Sequence, residues 1–432
     1  MTLIDSAVLF GTFFLLLALG LPIVFAIGIA SLVSIATSFA LHDAALIVSQ
    51  RMLSGLDSFT LLAIAFFILA GALMNRGGIA IRLIDLARLI VGRLPGSLAH
   101  CNVVANMLFG AISGSAVASC AAVGSVMTPL QRREGYDPGY AAAVNIASSP
   151  AGLLIPPSST FIVYSLVSGG TSIAALFLAG YLPGLMMGLG LMLVAGIIAK
   201  RRGYSADVAE RQPILPTLLH ALPSVLLMVI VIGGIVAGVF TATEASAIAV
   251  IYTLILTMAI YRTITFRALP AIVLEAAMTT AIVLPLISVS GAMSWAMSLE
   301  SIPQQISAAL LSLSDNPLVI LLLINLILLA IGMFMDITPA LLIFTPIFLP
   351  IVTQFGMDPV HFGVLMAFNL CIGICTPPVG SALFVGSSIA GVSIGRVGVP
   401  LLPMFVVLFA MLMAITYLPQ ISLFLPNLLL GD

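Results

Sequence analysis

Apolar runs follow one another along almost the entire chain, and no other feature narrows its fold as much. They fall roughly at 6–38, 58–75, 97–112, 116–131, 139–155, 158–198, 215–239, 242–261, 270–297, 317–333, 338–353, 360–375, 379–391 and 398–426. Between them charge is scarce. Of 432 residues, 62% are hydrophobic and 7% charged, against about 25% charged in an average soluble protein. A surface with so few charges cannot face water all round, and a lipid bilayer is the remaining common solvent. That excludes a cytosolic enzyme or a secreted domain. A net charge of −1 also leaves no basic face for a nucleic-acid backbone.

A membrane-crossing helix needs about 20 apolar residues, so the chain has room for ten to twelve crossings and several shorter pieces. The stretch 6–38 is too long for one straight crossing, at about 50 Å. It is either bent or split near Gly20, Leu21 and Pro22. Residues 1–5 carry no Lys or Arg, unlike the basic start of a cleavable signal, so this stretch is read as part of the membrane structure. Cys101, Cys120, Cys371 and Cys375 lie inside apolar runs, and the expectation is buried thiols rather than a disulfide framework.

Some segments are too short to cross, and their punctuation recurs. The runs 97–112 and 116–131 meet at Ser113-Gly114-Ser115, and 317–333 and 338–353 meet at Phe334-Met335-Asp336-Ile337. Each pair reads as a hairpin that enters and leaves on one side. Two later segments are interrupted at Pro156-Pro157 and Pro377-Pro378, where proline removes backbone donors and clashes with the preceding turn. A constant shift of 221 relates Pro129 to Pro350, Gly135 to Gly356, Asp137 to Asp358, Pro138 to Pro359, and the two Pro-Pro pairs to each other. The chain therefore repeats a hairpin followed by a broken helix.

Five crossings separate the copies, and an odd number inverts the second. Arg76, Arg82, Arg88, Arg93, Arg132, Arg133, Lys200, Arg201, Arg202, Arg211, Arg262, Arg267 and Arg396 then share one side, leaving Arg51 alone on the other. The basic excess marks the cytoplasmic face, so the first hairpin opens inward and the second outward. Arg82, Asp85 and Arg88 are spaced by three within 79–91, which suits a helix lying in the interface plane. Its counterpart falls near 300–313.

Inverted repeats with broken helices are a recurring plan of secondary transporters. A break frees carbonyls that can strip water from a cation, and the half-helix beyond it offers N–H groups and a positive dipole end to an anion. Ser113, Ser115, Ser119, Ser148, Ser149, Gly152, Ser158, Ser159 and Thr160 cluster at the first break; Gly332, Asp336, Thr338, Asn369, Gly373, Thr376, Gly380 and Ser381 cluster at the second. Asp336 stands out because an ionisable group at membrane depth is costly and functional by default; capping of the following helix is its structural alternative. Thr241 followed by Glu244 reads as a capping box. Asn102, Asn106 and Asn325 serve as interhelical glue or line a cavity. The single Lys, Lys200, precedes Arg201, so there is no P-loop for ATP, and no catalytic constellation suggests an enzyme.

The runs Gly110-Ala-Ile-Ser-Gly-Ser-Ala116, Gly124-Ser-Val-Met-Thr-Pro129, Ile155-Pro-Pro-Ser158 and Asn369-Leu-Cys-Ile-Gly-Ile-Cys-Thr-Pro-Pro-Val-Gly380 resemble the large membrane subunit of tripartite ATP-independent periplasmic (TRAP) transporters, the DctM-like family. The resemblance covers nearly the whole chain. One departure is Ala242 in Thr241-Ala-Thr-Glu244, where the family usually has proline. The resemblance implies an all-α polytopic, inverted-repeat, elevator-type importer of an organic acid in a bacterial inner membrane. It implies Na⁺ as coupling ion at two or more sites, one using Ser113, Ser115, Gly152, Ile155 and Pro157, the other Gly332, Gly373, Thr376 and Val379. Substrate would sit near Ser115, Ser119, Thr160 and Asp336. The implied partners are a small TRAP membrane subunit and a periplasmic substrate-binding protein. A stand-alone carboxylate symporter of the same architecture is the rival. The expected division is scaffold helices and an arm over 1–95, the first hairpin and broken helix over 96–170, further scaffold and a second arm over 171–315, the second hairpin and broken helix over 316–395, and a C-terminal helix over 396–432.

Overall fold

A computed structural model describes residues 2–204, 214–314 and 316–431. Arg211, counted above on the basic side, lies outside the described residues, as do Met1 and the Asp5 side chain. The first half holds α1 (Thr2–Ala18), α2 (Ile23–Ser38), α3 (Leu41–Leu56), α4 (Leu61–Arg76), α5 (Ile79–Val91), α6 (Ser97–Ser113), α7 (Ala116–Arg133), α8 (Pro138–Ser148), α9 (Ala151–Leu154), α10 (Ser159–Val167) and α11 (Ile173–Arg201). The second holds α12 (Ile214–Val236), α13 (Ala242–Leu254) with a π-helical continuation Ile255–Ile260, α14 (Leu269–Leu299), α15 (Ile302–Leu313), α16 (Pro317–Gly332), α17 (Ile337–Gln354), α18 (Pro359–Gly373), α19 (Ser381–Ala390), α20 (Ile394–Tyr417) and α21 (Gln420–Leu430). Among the described residues there is no strand.

The repeat extends well beyond the hairpins. Shifting by 221 carries the bounds of α7 onto those of α17, and the first residues of α8 and α11 onto those of α18 and α20. The caps explain why these starts coincide. Asp137 and Asp358 accept N–H bonds at 2.9 and 2.7 Å in the first turns of α8 and α18, and Pro138 and Pro359 occupy the first helical position, where a missing donor costs nothing. The same shift sets α5 over α15, α4 over the second half of α14, and α2 over α13 with its continuation. Residues 6–38 are split: α1 ends before Gly20, whose φ of +82° suits glycine, and α2 begins after Pro22. The copies also differ in places. α3 and α4 meet at a 60° bend, whereas their counterpart α14 runs unbroken.

Six helices are long and apolar enough to cross a membrane, or up to eight if each bent pair counts once. That is fewer than the ten to twelve crossings expected. The difference lies in short pieces: α6 and α16 of the hairpins, α18 and α19 of the second broken helix, and α1, α2 and α21 are apolar without each being a full span.

The helices form two bodies. In the frame, α4 packs on α13 and α14, α14 on α2 and α3, and α12 on α5 and α13. The other body gathers the hairpins and broken helices. α11 belongs to it, packing on α6, α9, α18, α20 and α21, and so do α20, against α8 and α18, and α21, against α11 and α18. The expected division places α11 with the scaffold and the C-terminal helices apart; α11 nonetheless packs closely on the hairpin-bearing body. The physical reason is glycine: Gly180, Gly184 and Gly188 recur every fourth residue on α11, and any side chain there would strike Leu154, Ile155 or Met107. Small residues at that spacing let helices approach closely in a bilayer. The arms tie the bodies together, α5 against α6 and α7 and α15 against α17.

The contacts also sort the ends of the molecule. Arg76 pairs with Glu275 at 3.0 Å and the Arg82 guanidinium lies 3.7 Å from the Tyr261 ring, beside α5. At the other end Arg51 stacks over Trp295 and Ser38 donates to Glu300, beside α15. The two arms therefore lie on opposite faces, as inversion requires. On the basic face Asp137 joins Arg396 at 3.2 Å and Arg202 at 3.6 Å, stapling α8 to α20 and α11. Partial burial of the Asp137 carboxyl opposes its ionisation, but the Tyr140 N–H and the two guanidinium groups outweigh it and hold its pKa below the ordinary value. A depressed pKa contributes stability above the unfolded value, about 3.9, and loses it as pH falls through the folded value. Asp137→Asn is therefore expected to unfold at lower temperature than the parent in detergent at pH 7, with the gap closing as pH drops below about 4. A gap that persists undiminished in acid would remove the carboxylate from the explanation.

Candidate functional site

Each break is held at membrane depth by a hairpin helix crossing it backbone to backbone. Gly110 of α6 lies on Gly152 of α9, and Gly332 of α16 lies on Gly373 of α18. A Cβ on Gly373 would fall 2.6 Å from the Gly332 Cα, and one on Gly152 would clash as severely with Gly110. Real Cβ atoms do not approach that closely, so glycine is required at both crossings. The tips are tied as well. Ser159 Oγ donates to Gly114 O at 3.1 Å across the first break, and Gly380 N–H donates to Met333 O at 3.1 Å across the second.

The breaks leave carbonyls free. Among the described residues, no backbone N–H donates to the carbonyls of Ile155, Pro156 and Pro157, or to those of Thr376, Pro377, Pro378 and Val379. Both Pro-Pro bonds are cis. At the second break the Ile374 and Thr376 carbonyls converge on Gly380, each 2.8 Å from where its Cβ would stand. Carbonyls grouped around glycine are hard oxygen donors of the kind that replace a cation's hydration shell. Of the residues expected at the two ion sites, Gly152 and Gly373 lie against the hairpin glycines Gly110 and Gly332, and Ser113, Ser115 and Pro157 line one cavity at the first break. The Thr376 hydroxyl, however, donates to Ile372 O at 2.7 Å, so that residue's free oxygen is its carbonyl.

A cavity of about 290 Å³ lies between the two bodies. Hairpin tips supply Ser113, Ser115, Asp336 and Thr338; the first broken helix supplies Pro157, Ser159 and Thr160. The frame closes it with Asn75 of α4 and with Glu275 and Thr279 of α14. These α14 residues lie in its first half, the end that begins beside Arg267, so the cavity extends from the hairpin tips toward the basic face. Ser115 and Asp336 are related by the 221 shift, and each caps the second helix of its hairpin. Ser115 Oγ accepts from Ala118 N–H at 3.2 Å, and Asp336 Oδ1 from Ile337 N–H at 3.0 Å. Capping uses only part of the acceptor capacity of the Asp336 carboxylate.

Of the four residues expected near substrate, Ser115, Thr160 and Asp336 line this cavity and Ser119 does not. Ser119 is fully buried and donates to Asn106 Oδ1 at 2.8 Å. It belongs to a polar core in which Asn106 Nδ2 reaches Asn102, Asn145 and Ser148 at 2.8–3.0 Å. The second copy answers with Asn369 on Asn325 and Asn325 on Thr416. These asparagines are interhelical glue. Glu244 forms the expected capping box with Thr241. The four cysteines are buried thiols in no disulfide, and no group of three metal-ligating side chains occurs among the described residues. Sequence reasoning passed over Glu275. A carboxylate inside the run 270–297 was the signal, since intramembrane charge is functional by default.

The family described as "Tripartite ATP-independent periplasmic transporter, DctM component" matches residues 10–421. The uncharacterized protein YgiK of Salmonella typhimurium is 59% identical over 98% of this chain and 97% of its own length. The sialic acid TRAP transporter large permease protein SiaM of Vibrio cholerae is 42% identical over 89% of this chain and 90% of its own. Among solved structures, the Alcanivorax borkumensis YdaH transporter superposes with a TM-score of 0.64 at 14% identity, over 87% of this chain and 88% of that one; this likeness concerns the fold alone.

The glycine crossings yield a direct expectation. Gly152→Ala and Gly373→Ala each force backbone apart, at a cost of about 1–3 kcal/mol, while Gly395→Ala meets nothing within 4 Å. Thermal unfolding in detergent should separate the first two variants from the third. Equal stability of all three would show that the crossings are not tight.

Proposed function

The chain belongs to the DctM family, the large membrane component of TRAP transporters, and from that membership we propose that it imports an organic acid by coupling its movement to Na⁺. The convergence of free carbonyls at two symmetry-related breaks carries this reading. Each cluster offers hard, neutral oxygen ligands at membrane depth, which suits Na⁺. Cation binding there supplies the positive charge an organic anion needs, because the cavity contributes Asp336 and Glu275 but no basic side chain. A membrane potential of 100 mV adds about 2.3 kcal/mol per net positive charge carried inward.

Substrate occupies the cavity at the hairpin tips, with Ser115 and Thr160 donating to its carboxylate and Asp336 accepting from its hydroxyl or amide groups. The walls of the cavity divide between the two bodies, which supports an elevator motion. The hairpin-bearing body carries the ions and substrate, the frame stays fixed, and α5 and α15 link them on opposite faces. The frame's lipid-facing helices pair with a small membrane subunit, and a periplasmic binding protein delivers substrate from outside. The sialic acid permease relative supports the organic-acid class without fixing which acid this chain takes.

Proteoliposomes holding the permease, its small subunit and the loaded binding protein should take up substrate when Na⁺ is outside and stop when K⁺ replaces it. Asp336→Asn should lower uptake about 10–100-fold, the loss of one or two charge-assisted hydrogen bonds. Na⁺-independent uptake would overturn the coupling. Uptake of free substrate by this chain alone would instead establish a stand-alone symporter.

A further inference from the structure

A second recess lies away from the transport cavity, on the outer surface of the hairpin-bearing body near the basic face. It is a shallow crevice of about 410 Å³ between the start of α6 and the last third of α11. Leu189, Leu193 and Ile197 line it at helical spacing and are 62%, 64% and 47% exposed. With Lys200 they form a stripe about 16 Å long on one side of α11. Such a strip faces the hydrocarbon of the inner leaflet and ends where that leaflet's headgroups begin.

The polar end of the crevice is built differently from its apolar length. Lys200, the sole lysine of the chain, lines it and has no ion-pair partner among the described residues. His100 lines it too and is 6% exposed, its ring beside the Pro95 backbone. The imidazole sits beside a cation that has no ion-pair partner among the described residues. Gly196 makes the room, since a Cβ there would press to 3.1 Å on the imidazole. No acidic side chain among the described residues lines the crevice, and Arg93 and Arg201 lie next to its mouth in sequence. Neighbouring Arg202, by contrast, is committed to Asp137.

We propose that this crevice binds an anionic phospholipid of the cytoplasmic leaflet, with its phosphodiester between Lys200 and His100 and an acyl chain along Leu189, Leu193 and Ile197. The chemistry on each part matches: an apolar groove open to lipid, a cation at headgroup height, and an imidazole beside it. Basic pockets on the cytoplasmic side of membrane helices select anionic headgroups. The inference is independent of which substrate the cavity carries and of how transport is driven.

Native mass spectrometry of the full chain, released from detergent with added dioleoylphosphatidylglycerol or dioleoylphosphatidylcholine, tests it. The parent should retain one phosphatidylglycerol about fivefold more tightly than phosphatidylcholine, the contribution of about one headgroup cation. Lys200→Gln, at an exposed position, should erase that preference. Leu193→Ser should weaken both lipids alike, and Arg267→Gln, on the same face but in the frame, should change nothing. Excess inorganic phosphate should not displace the bound lipid. Equal retention of the two lipids, an unchanged preference in Lys200→Gln, an equal loss in Arg267→Gln, or displacement by phosphate would each overturn the proposal.

Discussion

Inside a bilayer no water rescues an open backbone group, so irregular chain at membrane depth survives only when protein covers it or a wet cavity faces it. The rest of this structure depends on meeting that condition twice. Two helices are severed at Pro-Pro pairs, and each severed point is covered by a hairpin helix lying directly on its backbone. Gly110 on Gly152 and Gly332 on Gly373 make that cover possible, because only glycine lets two chains approach so closely. The crossing hides one side of each break and leaves the carbonyls on the other side free.

The two copies share this arrangement without being identical, and their differences carry functional weight. One position of the repeat holds Ser115 in the first hairpin and Asp336 in the second. A neutral hydroxyl and a carboxylate thus meet at one cavity from opposite directions, giving an asymmetric lining from a symmetric frame. α14 is continuous where α3 and α4 bend, and its first half brings Glu275 and Thr279 to the cavity.

The hairpins and breaks were legible because their punctuation is chemical: proline, glycine and aspartate each impose a local geometry that a shift of 221 repeats. The wider repeat was not, because α1, α2, α4 and their counterparts are apolar on all sides and carry few such marks. The close packing of α11 on the hairpin-bearing body was missed for a similar reason, although Gly180, Gly184 and Gly188 offered a clue to it. Ser115 and Ser119 lie one helical turn apart and look equivalent in sequence. Only the hairpin's fold separates the cap that faces the cavity from the hydroxyl bonded to Asn106. Arg132 shows the same limit, since its bond to Ala390 O joins α7 to the end of α19 across 258 positions of chain.

All of this requires that the two copies enter the membrane from opposite sides. Arg133 and Asp358 sit in corresponding exposed loops after the two hairpins, and the four native cysteines are buried. Single cysteines at those two positions, probed in intact cells with a membrane-impermeant maleimide, test the arrangement directly. Asp358→Cys should label from outside, and Arg133→Cys only after the membrane is opened. Labelling of both from the same side would contradict the inverted repeat and the ion sites proposed on it.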